Sequence, residues 1–395
     1  MSKEKLIPKL RFDEFVNEEN WIKYELGNNA IIKGRLGWKN LKQEEYVDRG
    51  PAMIAGRHIN NGIINWNKVD HIPLWRYKES PDIMLKENDI IFSKDGSLGN
   101  PAIIKQLPSL ATINATMMLV RVSDKINSEF FYQILNGSQF NELINIKVSG
   151  SSIPHLFQAD MEKFSFYSPE ILEQEKIGKF FKKLDQMIQL QQSKVNKVKD
   201  IKSAYLSEMF PKEGEKYPKK RFEGFKESWK EYSLGEVGNL YQPQTISRTS
   251  LQSSGIPVFG ANGYIGYYSN ANHEEDQITI SARGENAGNP SYVVGPVWIT
   301  GNSMVVNVDE NTNINKKFLY SYLSSQRLEK YITGGAQPQL TRDVLNKVPI
   351  QIPSFLEQEK IGQFFKNLDN QISIEEEKLS KLEKLKQAYL NDMFV

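Results

Sequence analysis

Residues 172–210 read LEQEKIGKFFKKLDQMIQLQQSKVNKVKDIKSAYLSEMF, and residues 356–394 read LEQEKIGQFFKNLDNQISIEEEKLSKLEKLKQAYLNDMF. The two stretches are identical at 21 of 39 positions when one is shifted by 184 residues onto the other. Such agreement predicts an internal duplication with one long helix in each half of the chain.

Both stretches repeat apolar residues at alternating spacings of four and three, the pattern of a helix that packs along another helix. The predicted helix-pair seam consists of Ile177, Phe181, Leu184, Ile188, Gln191, Val195, Val198 and Tyr205 in the first helix, and of Ile361, Phe365, Leu368, Ile372, Glu375, Leu379, Leu382 and Tyr389 in the second. The first helix carries 8 Lys and 6 acidic residues between 170 and 210, and the second carries 6 Lys and 8 acidic residues between 354 and 395. These opposite balances favour pairing within one chain, although the periodicity alone fits a coiled coil between separate chains equally well.

The parts of the chain outside the long helices are repeated too. The element PKLRF at 8–12, with Trp21 and the YELG run behind it, returns as PKKRF at 218–222, with Trp229 and a YSLG run. The run SKDGSLGNPAII at 93–104 corresponds to SARGENAGNPSYVV at 281–294, each predicting a strand, a Gly-rich loop and a strand. A single helix is predicted over 127–144 and again over 315–332, each capped by its first asparagine.

Turn residues between short apolar runs predict a β-rich remainder, and Asn61-Gly62 predicts a hairpin turn. We therefore predict an α+β chain with five segments: a first domain at 1–169, a long helix at 170–210, a linker at 211–217, a second domain at 218–353 and a second long helix at 354–395. The first domain is the longer copy, with inserted residues between about 62 and 96.

Composition excludes several classes of protein. The 395 residues contain no Cys, which rules out disulfides and Cys-ligated zinc, and the four His are too scattered to predict a metal site. The chain has no apolar run near the ~20 residues of a membrane span and no signal peptide, so we expect a cytoplasmic protein without a membrane partner. Phosphate-binding, nucleophile-elbow and zinc-protease motifs are absent, so we do not predict catalysis.

A nucleic-acid surface would require segregated charge, because 50 basic and 48 acidic residues leave a net charge of only +2. Basic residues near aromatic or Gly-rich segments are the candidates, together with one turn asparagine: Lys33, Arg35, Arg57, His58, Arg76 and Lys94 in the first domain, and Arg248, Asn262 and Arg283 in the second. Arg283 lies on the Gly-rich loop and could reach a guanine edge or a phosphate. A solvated loop arginine explains its position equally well.

The whole chain resembles specificity (S) subunits of type I restriction-modification enzymes. The resemblance lies in the duplicated LEQEKIG helix starts, the AYL–MF helix ends, the GGAQPQL connector at 334–340 and the repeated PK–RF, Trp and LG elements. It implies two target-recognition domains that each read one half of a bipartite double-stranded DNA site. It also implies that the two long helices lie antiparallel, hold the domains apart about a pseudo-two-fold axis and dock two methyltransferase (M) subunits.

In such an enzyme the chemistry belongs to the partners. The resemblance implies no cofactor, metal or catalytic residue on this chain, with S-adenosylmethionine, ATP and Mg on the methyltransferase and restriction/translocase (R) subunits. An antiparallel, centred helix pair would also bring the polar seam residues Gln191 and Glu375 together near the pseudo-two-fold axis, where they would fix the register. Two alternatives remain open: a DNA-reading module of another modification system, and a coiled-coil scaffold that binds only protein.

Overall fold

The computed structural model describes residues 6–34, 41–149, 154–212, 214–284, 286–332 and 339–395. The chain divides into two compact units. The first unit comprises Met1–Gln191 with Lys378–Val395, and the second unit comprises Gln192–Glu377. Each unit thus contains one of the repeated domains and one part of each long helix. Helices and strands both build the units, so the α+β prediction is confirmed.

The first unit begins the series of elements. Its strands are β1 (Ile22–Glu25), β2 (Ala30–Gly34), β3 (Ala52–Ile54), β4 (Ile59–Asn60), β5 (Ile63–Ile64), β6 (Asp70–His71), β7 (Ile90–Ser93), β8 (Gly99–Ile103), β9 (Ala111–Ile113), β10 (Met117–Val122) and β11 (Ser165–Ser168). Its helices are α1 (Leu74–Lys78), α2 (Ser128–Ile134), α3 (Ser138–Ser149), α4 (Gln158–Glu162) and the first part of α5 (Ile171–Glu208).

The second unit continues the series. Its strands are β12 (Lys230–Ser233), β13 (Asn239–Tyr241), β14 (Ile256–Gly260), β15 (Gly263–Tyr268), β16 (Gln277–Ser281), β17 (Pro290–Val293), β18 (Trp298–Ile299), β19 (Ser303–Asn307) and β20 (Pro349–Ile352). Its helices are α6 (Leu234–Val237), α7 (Lys316–Ser325), α8 (Arg342–Asn346) and the first part of α9 (Phe355–Asp392), whose remainder belongs to the first unit.

The same sheet topology occurs in both units. The four-stranded antiparallel sheet β2-β10-β7-β8 corresponds to β13-β19-β16-β17. A three-stranded sheet β6-β3-β9, in which β3 and β9 are parallel, corresponds to β15-β14-β18, in which β14 and β18 are parallel. The antiparallel pair β1-β11 likewise corresponds to β12-β20. The duplication therefore extends through the strands of both domains.

Several local features follow directly from residue type. Asn61 and Gly62 have φ of 49° and 75°, the left-handed conformation that a two-residue hairpin between β4 and β5 requires. Asn127 Oδ1 accepts a 3.0 Å hydrogen bond from the Phe130 N–H and so caps α2. Asn315 caps α7 through an equivalent 3.0 Å bond. The hairpin turn and both helix caps were predicted from the sequence, and these predictions are confirmed.

The predicted single helices over 127–144 and 315–332 are wrong. In the first unit α2 ends at Ile134 and α3 begins at Ser138, because the Asn136 side chain donates to the Tyr132 carbonyl at 2.7 Å and Gly137 follows. In the second unit α7 ends at Ser325 and a 3-10 turn follows over Leu328–Tyr331. The five-residue helices α4 and α8 were not predicted, since each is too short to show a periodic pattern.

The two long helices run antiparallel within each unit. In the first unit the Phe180 ring meets Tyr389 at 5.0 Å between centroids, and Asp185 pairs with Lys386 at 2.7 Å, so residue numbers rise along α5 as they fall along α9. In the second unit Lys202 pairs with Asp369, and the Tyr205 ring meets Phe364 at 4.9 Å. The two ion pairs are equivalent under the 184-residue shift.

All the residues assigned to the seam are buried or half-buried, from Phe181 and Phe365 at 0% exposure to partly covered positions such as Leu379. The polar seam residue Gln191 is also buried, at 7% exposure. Gln191 belongs to the first unit and Glu375 to the second, so their meeting near a pseudo-two-fold axis stays a prediction.

Each domain core includes the end of one long helix and the beginning of the other. The aromatic side chains that meet there are equivalent in the two units: Trp21, Phe130, Phe181 and Phe394 in the first, and Trp229, Phe318, Phe365 and Phe210 in the second. Truncating one such buried ring costs about 3–5 kcal/mol of folding free energy, so these clusters fix the helices to the domains.

A buried ion pair joins the same parts in each unit. Arg11 donates to both carboxylate oxygens of Glu173, at 2.7 and 2.6 Å, and Arg221 donates to both oxygens of Glu357, at 2.7 Å each. The hydrogen bonds to the carboxylate raise the pKa of each guanidinium. This geometry explains why both copies share an arginine in the PK–RF element and a glutamate at the helix start.

The next residue of the LEQEKIG motif makes a second repeated junction. Gln174 accepts a 2.8 Å hydrogen bond from the Asn127 N–H, and its side-chain amide donates to the Pro169 carbonyl at 2.9 Å. Gln358 makes the equivalent bond to the Asn315 N–H at 3.0 Å. The repeated motif is therefore the place where each long helix is fixed to the helix cap of its domain.

No helix in the described part of the chain is both long enough and apolar enough to span a membrane.

Candidate nucleic-acid interface

The predicted Gly-rich loops lie at the same place in the two units, where β7 and β16 end beside the connector that follows the domain helices. In the first unit Leu156 N donates to the Lys94 carbonyl at 2.9 Å. In the second unit Leu340 N donates to the Ala282 carbonyl at 3.0 Å. We call these places the sheet-end sites: residues 93–100 with 154–158 in the first unit, and 281–284 with 286–289 and 339–342 in the second.

The backbone around the bridge is equivalent in the two sheet-end sites. Asp95 and His155 form an isolated antiparallel bridge in the first unit, and Arg283 and Gln339 form the corresponding bridge in the second. The loop glycines agree as well, since Gly96 and Gly284 have φ of 72° and 78°. The side chains at the bridge positions, in contrast, differ completely between the two copies.

The first sheet-end site holds a charged cluster. Lys94 Nζ donates to Asp95 at 2.8 Å, and His155 Nδ1 forms a short hydrogen bond with the other carboxylate oxygen. Burial opposes ionisation of Asp95, but the hydrogen bonds from Lys94 and His155 outweigh it and lower the pKa of this carboxyl. Gly34 at the end of β2 leaves room for the Lys94 stem, because a Cβ there would lie 3.3 Å from Lys94 Cε. Lys33, the residue before Gly34, is half-buried.

The second sheet-end site is built from arginine and amide groups. Arg283 is exposed, and a Cβ at the following Gly284 would meet no atom within 4 Å, so the loop projects into open space. A recess of about 340 Å³ beside it is lined by Arg283, Arg342, Gln242 and Gln339, among others. Guanidinium and carboxamide groups are the side chains that recognise the edges of guanine and adenine.

A hairpin tip joins the second sheet-end site from the neighbouring sheet. Asn286 on the Gly-rich loop donates to Asn262 Oδ1 at 2.9 Å, and Asn262 lies in the turn between β14 and β15. Tyr264 and Ile265, on the strand that follows the turn, are 58% and 49% exposed. The second unit therefore brings together Asn262 and Arg283, two of its three predicted candidates.

Two of the candidates in the first domain are corrected by the structure. His58 is buried, and its Nδ1 accepts a 3.0 Å hydrogen bond from the Ala55 N–H, so the ring supports a turn. Arg76 is also buried and donates to Glu45 at 2.6 Å and to Glu79 at 3.2 Å. Burial and the bond to Ala55 engage His58, and the two carboxylates engage the Arg76 guanidinium, so neither residue is placed to contact a nucleic acid.

The remaining candidates are placed differently. Arg57 is exposed but forms an ion pair with Asp70. Arg248 is exposed in a 3-10 turn over Arg248–Ser250 and does not line the recess of the second sheet-end site. Arg35 lies outside the described residues. Lys94 is therefore the basic candidate that the structure places at the first sheet-end site, whereas Lys33 lies on β2.

Sequence reasoning missed His155, Arg342, Gln242 and Gln339. The signal for His155 and Gln339 was present, because IPHL and QPQL align at the end of the repeated connector and differ at one bridge position. The sequence gives no such signal for Arg342 and Gln242, which join the site only because the fold brings β13, β16 and α8 together. Within the described residues, no group of three or more His, Cys, Asp or Glu side chains is placed to hold a metal ion.

Comparison with known proteins gives a consistent result. The family model described as "Type I restriction modification DNA specificity domain" matches the chain twice, at residues 35–200 and 226–384. The MjaVIII type I restriction enzyme specificity subunit of Methanocaldococcus jannaschii is 21% identical over 350 residues, which cover 78% of this chain and 79% of the relative. A putative type I specificity subunit of Mycoplasma genitalium is 21% identical over 397 residues, covering 98% and 97% of the two chains.

A solved structure has the same fold. The crystal structure of the S subunit of a type I restriction-modification system from M. genitalium superposes with a TM-score of 0.68 at 20% identity, covering 98% of this chain and 99% of that one.

Proposed function

Because this chain belongs to the type I restriction modification DNA specificity family, we propose that it is the subunit that selects the DNA sequence for a type I restriction-modification complex. In this role each domain reads one half of a bipartite double-stranded site. The observation that carries the proposal is the repeated sheet-end site. The backbone around its bridge is equivalent in both units, whereas the bridge positions hold the half-buried Asp95 and His155 in one, and the exposed Arg283 with the half-buried Gln339 in the other.

A duplicated reader needs this combination of features. A common backbone presents two loops in the same way to two stretches of duplex DNA, and different side chains select different bases. Two domains on one chain give higher specificity than either alone. When one domain has bound its half-site, the effective concentration of the other domain at the second half-site is raised. The antiparallel pairing within each unit, with ion pairs at Lys386 and Lys202, supports the long helices as the rigid element between the two contacts.

The proposal assigns all chemistry to other chains. Two methyltransferase subunits dock on the long helices and carry S-adenosylmethionine, and restriction subunits carry ATP and Mg²⁺. This chain supplies no catalytic group, and the complex works in the cytoplasm on invading and host DNA. The exposed outer positions of the helices, such as Leu172 at 70% and Leu356 at 59%, are equivalent in the two copies and support two equal docking sites.

The test is to co-express the chain with a methyltransferase subunit from the same organism's type I system and to map methylated adenines by sequencing. We expect a bipartite motif with a fixed gap that appears only when both chains are present. Methylation by the methyltransferase alone with the same motif, or by this chain alone, would contradict the assignment. Binding to the methyltransferase without any sequence preference would instead favour a protein-only scaffold.

A second experiment tests the helices. Insertion of seven residues, one heptad, into both long helices should lengthen the gap and leave the bases of both half-sites unchanged. Exchange of residues 218–350 for the same region of another specificity subunit should change one half-site only. A changed half-site with an unchanged gap after the insertion would rule out the helices as the spacer.

A further inference from the structure

We propose that Arg283 reads a guanine in the half-site bound by the second unit. The proposal rests on the proposed function and adds the residue, the base and the half-site.

The backbone around Arg283 is rigidly held. Its neighbour Ala282 donates to the Asn302 carbonyl at 3.2 Å and accepts from Leu340 at 3.0 Å. Ser281 lies one residue further back and accepts a 2.9 Å bond from Gly288, which closes the loop. A fixed backbone with an exposed side chain suits base reading, because the loop needs no further backbone ordering when the guanidinium binds.

The guanidinium of Arg283 is available for a ligand, whereas several other arginines of the chain are engaged. Five others are tied to carboxylates by ion pairs of 4.0 Å or less: Arg11, Arg57, Arg76, Arg121 and Arg221. Within the part of the chain that the structure describes, Arg283 forms no such pair. Arg342, exposed and lining the same recess, is not paired in that part either. Two exposed arginines thus line one recess, and neither forms an ion pair with a carboxylate among the described residues.

The local charge favours a base over a phosphate. Residues 232–315 contain two basic side chains, Arg248 and Arg283, and seven acidic ones. A surface that binds phosphates through general electrostatics would carry several cations, and this segment carries two. The neighbours of Arg283 in the recess are the carboxamides Gln242 and Gln339, which suit base edges. The bidentate fork of arginine matches O6 and N7 of guanine, the commonest specific contact in the major groove.

The first unit has no such group at the equivalent position. Asp95 replaces Arg283 there, and its carboxylate is already engaged by Lys94 and His155. The guanine contact should therefore belong to one half-site only, which makes the effect of a substitution asymmetric.

The test uses the complex of the full chain with its methyltransferase partner, acting on a DNA library in which both half-sites are randomised. For Arg283→Gln, the preference for guanine at one position of one half-site should fall by about 5- to 150-fold, which corresponds to the ~1–3 kcal/mol of a bidentate arginine–guanine contact. The other half-site should not change. Arg283→Lys should lose the same preference while retaining overall binding, because lysine keeps the charge without the fork.

Arg327→Gln is the matched control, since Arg327 is an exposed arginine of the same unit that does not line the recess and is not a candidate for DNA contact. It should leave the motif unchanged. The inference is overturned if Arg283→Gln lowers methylation of all sequences equally, as loss of a phosphate contact would, or leaves the motif unchanged. It is also overturned if the substitution removes a preference for a base other than guanine at that position. A wild-type complex without any sequence preference would instead refute the proposed function itself.

Discussion

The ion pair between Arg221 and Glu357 should be essential for holding the second domain to its long helix. Glu357 is fully buried, at 0% side-chain exposure, and the Arg221 side chain is 15% exposed. Both carboxylate oxygens accept from the guanidinium at 2.7 Å. Replacing Arg221 by Met leaves a buried carboxylate without its counter-ion, and breaking a buried pair in this way costs about 3–5 kcal/mol.

Hydrogen exchange measures this loss within one unit. Amides of the β12–β20 pair (Lys230–Ser233 with Pro349–Ile352) report opening of the second domain. Their exchange in Arg221→Met should be faster by roughly a hundredfold to several thousandfold, since each 1.4 kcal/mol is a factor of ten. Amides of the equivalent β1–β11 pair in the first unit provide the internal control and should keep their rates.

The double variant Arg221→Met with Glu357→Leu separates loss of the pair from loss of the side chains. Removing both charges should restore much of the protection, because a buried pair replaced by apolar groups of similar size is often neutral in stability. The reasoning fails if Arg221→Met changes the opening free energy by less than about 1 kcal/mol, the value of an exposed pair. It also fails if the double variant is as unstable as the sum of the single ones.

Three further outcomes follow from single contacts. Gly362→Ala should destabilise the protein by about 1–3 kcal/mol in urea denaturation, although alanine favours helix, because its methyl would lie 2.7 Å from Asn315 Oδ1. Lys386→Met should lower the free energy of unfolding by about 1–3 kcal/mol in the same assay, because it leaves the half-buried Asp185 carboxylate without its ion pair. A loss below about 0.5 kcal/mol would contradict this. Burial lowers the pKa of His273 below 6.5. As the pH falls below this value, the unfolded chain therefore binds a proton at this histidine before the folded chain does. Stability should then fall as pH drops below about 6.5, and His273→Gln should weaken this dependence in thermal unfolding at pH 7.5 and 5.5.

The duplicated architecture could be read from the sequence because its signals are local. Hairpin and cap residues such as Asn61, Asn127 and Asn315 act within three positions of themselves, and the seam repeats every seven residues. Helix breaks were harder to predict, because the end of α2 at Ile134 depends on one side-chain hydrogen bond, from Asn136 to the Tyr132 carbonyl, that competes with the helix.

The candidate site was less predictable, since a basic residue is informative only when its partner is known. Arg76 and Arg283 look alike in the sequence, each near aromatic or Gly-rich segments. Glu45, which neutralises Arg76, is 31 positions away, and only the fold brings the two together. Arg342 joins Arg283 from a helix 59 positions along the chain. Comparing the two copies position by position inside the shared connector would have found His155 and Gln339.

Some equivalent positions hold the same residue in both copies and others hold different residues. This difference explains how such a chain can change its DNA target without losing its fold. The positions that both copies share, such as Arg11 with Glu173 and Arg221 with Glu357, are buried and join domain to helix, so a change there costs several kcal/mol. The bridge position of the sheet-end site, occupied by Asp95 in one copy and Arg283 in the other, lies on a backbone held by main-chain hydrogen bonds. Arg283 is exposed and contributes little to folding, so a substitution there alters what the domain reads at small cost in stability. Stability and specificity therefore depend on separate residues, and the second half-site can change while the first half-site and the gap remain as they were.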